Sequence, residues 1–165
     1  MADDIQELIK ALSAVDAAAR RVAAERLGTL GEKAQTAAAA LVKCVGDADE
    51  SVREAVNSTL EELGPPAKEQ LAQLTTLVKD GSSDVAYWAA TLIGRLKDAG
   101  SAATDSLAQC VASAKEMPVR ERAAWALGEI GPQAQGAVEA LKKAAAEGGP
   151  RLARLAKQAL ERITG

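Results

Sequence analysis

VRERAAWALGEIG, residues 119–131, carries the pattern on which the fold turns. Val119, Ala123, Ala126, Leu127 and Ile130 recur at three- and four-residue intervals, which puts them on one stripe of an α-helix. Gly131 then offers the left-handed conformation that commonly ends a helix, and Pro132 prevents continuation. The phrase is legible four more times: ARRVAAERLGTLG (19–31), VREAVNSTLEELG (52–64), VAYWAATLIGRLK (85–97) and LARLAKQALERIT (152–164). A second phrase alternates with it: IQELIKAL (5–12), AAALVKCV (38–45), LAQLTTLV (71–78), TDSLAQCV (104–111) and VEALKKAA (138–145). Both return every 33–34 residues, and self-similarity at such a period marks a stacked repeat architecture.

The two phrases predict an all-α chain of about ten antiparallel helices in one domain over residues 1–165, or about five helix pairs. Their order is a lone second-phrase helix near 3–14, four hairpins, and a lone first-phrase helix near 149–163. Asp16, Asp49 and Ser82 or Ser83 are the expected N-caps, while Pro118 and Pro150 suit first-turn positions. Gly28, Gly94 and Gly128 lie inside first-phrase helices, where glycine costs about 1 kcal/mol against alanine. Close approach of a neighbouring helix is the expected compensation.

Asp49…Val52-Arg53…Leu60…Leu63-Gly64 and Val119-Arg120…Ala123…Leu127-Gly128…Ile130-Gly131 resemble the short HEAT-like repeats of phycobilisome lyases and many bacterial proteins. The resemblance covers nearly the whole chain and implies a right-handed α-solenoid, an α-α superhelix. It implies no single function, because such proteins include scaffolds, lyase subunits and a few enzymes. The third copy departs most: Lys97 replaces the closing glycine, Ala86 replaces the arginine, and the span to the next copy gains one residue. Irregular geometry is therefore expected around residues 97–103.

Composition narrows the chemistry. Charged residues at 26% suit a folded soluble chain, and only three aromatics leave the core to Ala, Leu, Val and Ile. No apolar run reaches the roughly 18 residues of a membrane span, so a cytoplasmic location is the default expectation. The absence of histidine removes Ser-His-Asp and Cys-His machinery and the usual zinc or iron sites, and no glycine-rich phosphate loop is present. No cofactor and no enzymatic activity are expected. Cys44 and Cys110 occupy one slot of the second phrase, two repeats apart, and read as buried small hydrophobes rather than a disulfide. Asp47, Asp49 and Glu50 read as a capped helix start rather than a cation site.

Two surfaces are candidates for binding. Tyr87, Trp88 and Trp125, with Arg122 beside them, fall on consecutive first-phrase helices, and these residue types dominate interface hot spots. The slot of Trp125 holds Glu25, Ser58 and Thr91 in other copies, which predicts exposure there. The competing reading is local packing over Ala-rich seams. The second surface is the concave face that the resemblance assigns to the second-phrase helices. Its outward positions are Lys43, with Ala39 and Ala40 beside it, then Gln73, Thr76, Asp105, Gln109, Glu139 and Lys143.

Charge is uneven along the chain. Residues 1–64 hold 12 acidic and 7 basic side chains, and residues 114–165 hold 6 and 9. Such asymmetry favours solvated faces and allows weak self-association through the array ends. The function expected is a non-enzymatic interaction scaffold or adaptor for a protein or peptide partner. The alternative is an accessory subunit of a covalent-modifying enzyme, resembling the bilin lyase subunits and calling for an exposed reactive thiol. Nucleic-acid binding, as in HEAT-like DNA glycosylases, is disfavoured by a pI near 5.2, and no membrane partner is expected.

Overall fold

A computed structural model describes residues 4–165, and every regular element among them is helical. The α-helices are α1 (Ile5–Ala11), α2 (Ala17–Leu30), α3 (Ala38–Lys43), α4 (Glu50–Glu62), α5 (Leu71–Asp80), α6 (Ser83–Arg95), α7 (Thr104–Ser113), α8 (Met117–Ile130), α9 (Val138–Glu147) and α10 (Pro150–Thr164). The first-phrase helices are α2, α4, α6, α8 and α10, and the rest carry the second phrase. Residue 3, included in the predicted first helix, lies outside the described residues.

The starts follow their capping chemistry. Asp16 accepts from the amides of Ala18 and Ala19, Asp49 from that of Val52, and Ser82 rather than Ser83 from that of Val85. Pro150 opens α10 and Pro118 lies in the first turn of α8, where a missing N–H loses nothing.

Between first- and second-phrase helices the chain makes a tight 3-10 turn, over Gly31–Ala37, Lys97–Ala103 and Gly131–Ala137, with a shorter one at Lys68–Gln70. Each is entered through a left-handed residue: Gly31 at φ 54°, Gly64 at 72°, Gly131 at 71° and, alone among non-glycines here, Lys97 at 53°. Lysine thus adopts the positive φ that glycine supplies elsewhere, a strained backbone that costs roughly 1–3 kcal/mol. The expected irregularity at 97–103 is therefore absent, since this turn has the same seven-residue length as two of its counterparts. The extra residue falls instead between α7 and α8, because 15 positions separate the phrase starts at 104 and 119 where 14 separate 71 and 85.

The chain divides into two compact units, residues 1–70 and 71–165. In the first, α1 packs on α2 and α2 on α4, burying Leu8, Leu12, Ala23, Leu27, Leu41, Val56 and Leu60. Thr59 of α4 is buried there and donates its hydroxyl to the carbonyl of Ala24, 2.9 Å away. In the second unit, α6 packs on α8 and α8 on α10, with α7 and α9 closing the other side over Leu92, Ile93, Leu107, Leu127, Leu141 and Leu152.

The interior glycines mark the closest helix approaches. A Cβ on Gly94 would meet Ala126 Cα at 3.0 Å, and one on Gly128 would meet Ala159 Cα at 3.1 Å. In both pairs the glycine at the tenth position of one phrase meets the alanine at the eighth position of the next. The packing role predicted for these residues is observed.

Candidate partner-docking site

The arginine that follows the first apolar residue of the phrase has a structural task that its pattern alone did not disclose. Arg20 donates to both carboxylate oxygens of Asp47 at 2.7 Å and to the carbonyls of Ala14 and Val15 at 2.9 Å. Arg53 donates in the same way to the carbonyls of Asp47 and Ala48, at 2.8 and 3.0 Å. Arg120, beyond the longer α7–α8 connection, reaches the carbonyl of Val111 at 2.8 Å. These side chains satisfy turn carbonyls that would otherwise lack protein donors. The signal was the Val-Arg or Ala-Arg pair at three phrase starts.

The acidic cluster is absorbed by the same network. Asp47 holds Arg20 and accepts the Asp49 amide at 2.9 Å, while Asp49 accepts from Ser51 and Val52. The hydrogen bond from Arg20 holds the Asp47 carboxyl below its ordinary pKa, and the hydroxyl of Ser51 does the same for Asp49. These bonds engage Asp47 and Asp49 in the turn and the helix start.

Both thiols are half-buried rather than fully buried. Cys44 Sγ donates to the Leu12 carbonyl and Cys110 Sγ to the Val78 carbonyl, each at 3.7 Å. Burial pushes both thiols up from their ordinary pKa.

The aromatic residues gather within the second unit. Arg122, on α8, is central. Its guanidinium carbon lies 4.6 Å from the centroid of the Tyr87 ring and 5.1 Å from that of Trp125. It also donates to the Tyr87 hydroxyl. Trp88 meets Tyr87 edge to face, with centroids 6.1 Å apart and planes at 89°. A cation over two aromatic faces gains about 0.5–2 kcal/mol per face, depending on desolvation. Among the described residues Arg122 has no carboxylate partner, whereas its neighbour Glu121 pairs with Arg151 at 3.2 Å.

Tyr87, Trp88, Arg122 and Trp125 are all half-buried. Full exposure of Trp125 is therefore not found. Of the polar occupants of its slot, Glu25 and Ser58 are exposed, whereas Thr91 is buried and returns its hydroxyl to the Tyr87 carbonyl at 2.8 Å. Trp125 rests instead against Gly94. Packing and presentation coexist in this indole. Tyr87, Arg122 and Trp125 line a cleft of about 220 Å3 with Pro118, Glu121, Arg151 and Leu155.

The second candidate surface is more dispersed. Lys43 on α3, Gln73 and Thr76 on α5, Asp105 and Gln109 on α7, and Glu139 and Lys143 on α9 are all exposed. Glu139 pairs with Lys142 at 2.9 Å, and Thr76 returns its hydroxyl to the carbonyl of Ala72. Ala39, expected to point outward, is buried: its amide donates to the Gln70 side chain, which lies over it.

The family profile for HEAT repeats matches residues 5–80 and 71–161. The chain belongs to the HEAT-repeat family. No curated protein matches it. Among solved structures, a designed armadillo repeat protein in complex with a (KR)4 peptide is 20% identical, with 97% of this chain and 82% of that one covered at a TM-score of 0.65. An engineered protein is 22% identical over 96% of this chain and 78% of its own, at 0.63. The complex of CpcE and CpcF of phycocyanin lyase from Nostoc sp. PCC7120 is 21% identical, covering 98% of this chain and 65% of that one, at 0.64. At such identities the likeness establishes an α-solenoid of HEAT or armadillo type. Within that fold, the Tyr87–Arg122–Trp125 cluster belongs to this HEAT-repeat chain's own side chains.

Proposed function

We propose that this HEAT-repeat protein is a non-enzymatic scaffold or adaptor that docks a protein or peptide partner on the face formed by α6, α8 and the start of α10. The observation that carries the reading is Arg122, clasped by Tyr87 and Trp125 and without a carboxylate of its own among the described residues. The guanidinium is held in place before any partner arrives, so little side-chain entropy remains to be lost on binding. Half-buried aromatic and arginine side chains around a cleft are the residue types that anchor interfaces. The partner segment that fits is short, with a carboxylate to meet Arg122 and an apolar side chain to meet Trp125 and Leu155.

Two solved relatives in fold carry protein or peptide partners in their own structures, which supports the class of partner. The lyase-subunit alternative calls for an exposed activated thiol, and the raised, half-buried thiols of Cys44 and Cys110 speak against it. No helix among the described residues is long and apolar enough to cross a membrane. Two unpaired cysteines accord with a reducing cytoplasmic setting, which forms part of the same proposal.

Panning a random peptide display library on the whole chain tests this reading. The enriched peptides are expected to pair an acidic residue with an aromatic or branched apolar one. Their affinity for Arg122→Gln should fall by about tenfold, the loss of one charge-assisted contact. Enriched peptides that bind Arg122→Gln as tightly as the parent chain would sink the proposal.

A further inference from the structure

The arginine of the first phrase is missing from one interior copy, and its place is not filled. Arg20 and Arg53 each direct one nitrogen to the two carbonyls six and five residues earlier in the chain. In the third copy the corresponding residue is Ala86, buried and only 5% exposed. The positions six and five residues before it are Asp80 and Gly81. Beside them opens a cavity of about 390 Å3, lined by Asp80, Gly81, Ala86, Gln109, Cys110 and Glu116 among others. The cavity lies where the α5–α6 turn faces the α7–α8 connection within the second unit.

This arrangement resembles the surroundings of Arg20 in residue type and position. Arg20 bridges the turn before its own helix to a carboxylate, Asp47, in the next connection. Around Ala86, Asp80 and Gly81 stand at the two positions whose counterparts offer their carbonyls to Arg20 and Arg53, and Glu116 of the next connection lines the same cavity. Glu116 is exposed at the N-cap of α8 but its side chain makes no bond to the helix amides, unlike Asp16 and Asp49 at their helix starts. The carboxylate of Asp80 also stands five residues before Val85, as Asp47 stands five before Val52. Cys110 does not compete for the space, since its thiol is turned to the carbonyl of Val78. The lining thus holds two carboxylates, Asp80 and Glu116, two ammonium groups, Lys79 and Lys115, and the neutral polar side chains of Ser83, Ser106, Gln109 and Ser113, so shape and the turn backbone rather than net charge must select the ligand.

We infer that this cavity binds a guanidinium group supplied by another molecule, either an arginine side chain in a peptide or free arginine, in the slot that Arg20 and Arg53 fill in their own copies. Planar donors in a fixed fork match a carboxylate flanked by carbonyls, whereas an ammonium offers a point charge without that geometry. The inference stands apart from the docking face of Arg122, and either can fail without the other.

The test is a two-dimensional amide NMR titration of the full chain. The probes are acetyl-arginine N-methylamide, free L-arginine, acetyl-lysine N-methylamide and acetyl-citrulline N-methylamide. The capped arginine should produce saturable shifts at residues 79–86 and 109–116, with citrulline and lysine weaker by about tenfold, the factor expected for losing a charge-assisted or bidentate contact. Tighter binding of the capped compound identifies a peptide arginine as ligand, and tighter binding of the free amino acid identifies arginine itself. Ala86→Arg should fill the slot from within and abolish the shifts, while Asp80→Asn, at an exposed position, should weaken them with the fold intact. Equal responses to arginine and citrulline, shifts centred elsewhere, or binding unchanged in Asp80→Asn would each overturn the inference.

Discussion

Trp125 occupies the space that Gly94 leaves open: a Cβ on Gly94 would stand 2.6 Å from Trp125 Cζ3. Backbone of the same neighbour helix lies close behind, with Ala126 Cα at 3.0 Å. Gly94→Ala would gain about 1 kcal/mol of helix propensity but force overpacking of about 1–3 kcal/mol. A net loss of stability is expected, with a shift of tryptophan emission as the indole is displaced. A thermal midpoint equal to or above the parent's would contradict this account of the glycine.

Truncating the indole acts on the same contact from the other side. Because Trp125 is half-buried, Trp125→Ala should cost about 1–3 kcal/mol, below the roughly 3–5 kcal/mol of a fully buried tryptophan. Denaturant unfolding measures it directly. A cost near zero would return Trp125 to the surface role that its slot first suggested.

Asp47 predicts the acid behaviour of the first unit. Its folded pKa is lowered, chiefly by the hydrogen bond from Arg20, so its contribution is present above the unfolded value of about 4. That contribution is lost as pH falls through the lower folded value. The parent chain should therefore lose stability below about pH 4 more steeply than Asp47→Asn, whose side chain does not titrate there. Parallel stability curves for the two proteins between pH 5 and pH 2, about the range over which such carboxylates titrate, would refute the assignment.

Thiol chemistry offers a further check. Burial raises the pKa of Cys44 and Cys110, so labelling of the native chain by a disulfide reagent should be slower than that of an unstructured cysteine peptide. Its pH profile should also be displaced upward. Labelling as fast as the peptide would revive the reading that requires a reactive cysteine.

Helix count, caps and core stripe were legible in the sequence because each is a local consequence of spacing and of residues such as Asp16, Asp49 and Gly131. The cluster was half legible. Tyr87, Trp88, Arg122 and Trp125 could be placed on neighbouring helices, but the approach of Arg122 to both the Tyr87 and Trp125 rings requires the packed structure of α6 and α8. The slot of Trp125 is exposed where Glu25 and Ser58 fill it, but Thr91 satisfies its hydroxyl within its own helix and is buried, so polarity alone did not fix exposure. Least legible was the vacancy at Ala86, since a missing side chain has meaning only after Arg20 and Arg53 show what it would have held.

Lys97 carries a consequence for anyone wishing to lengthen or shorten this protein. Its turn has the length of those at Gly31 and Gly131, yet it is entered through a lysine at φ 53° where glycine serves in both of them. Duplicating the third copy would compound that backbone penalty with every unit added, and duplicate an open cavity as well. The fourth copy, with Gly131 at its turn and Gly128 against Ala159, has neither defect and is the sound module for extension.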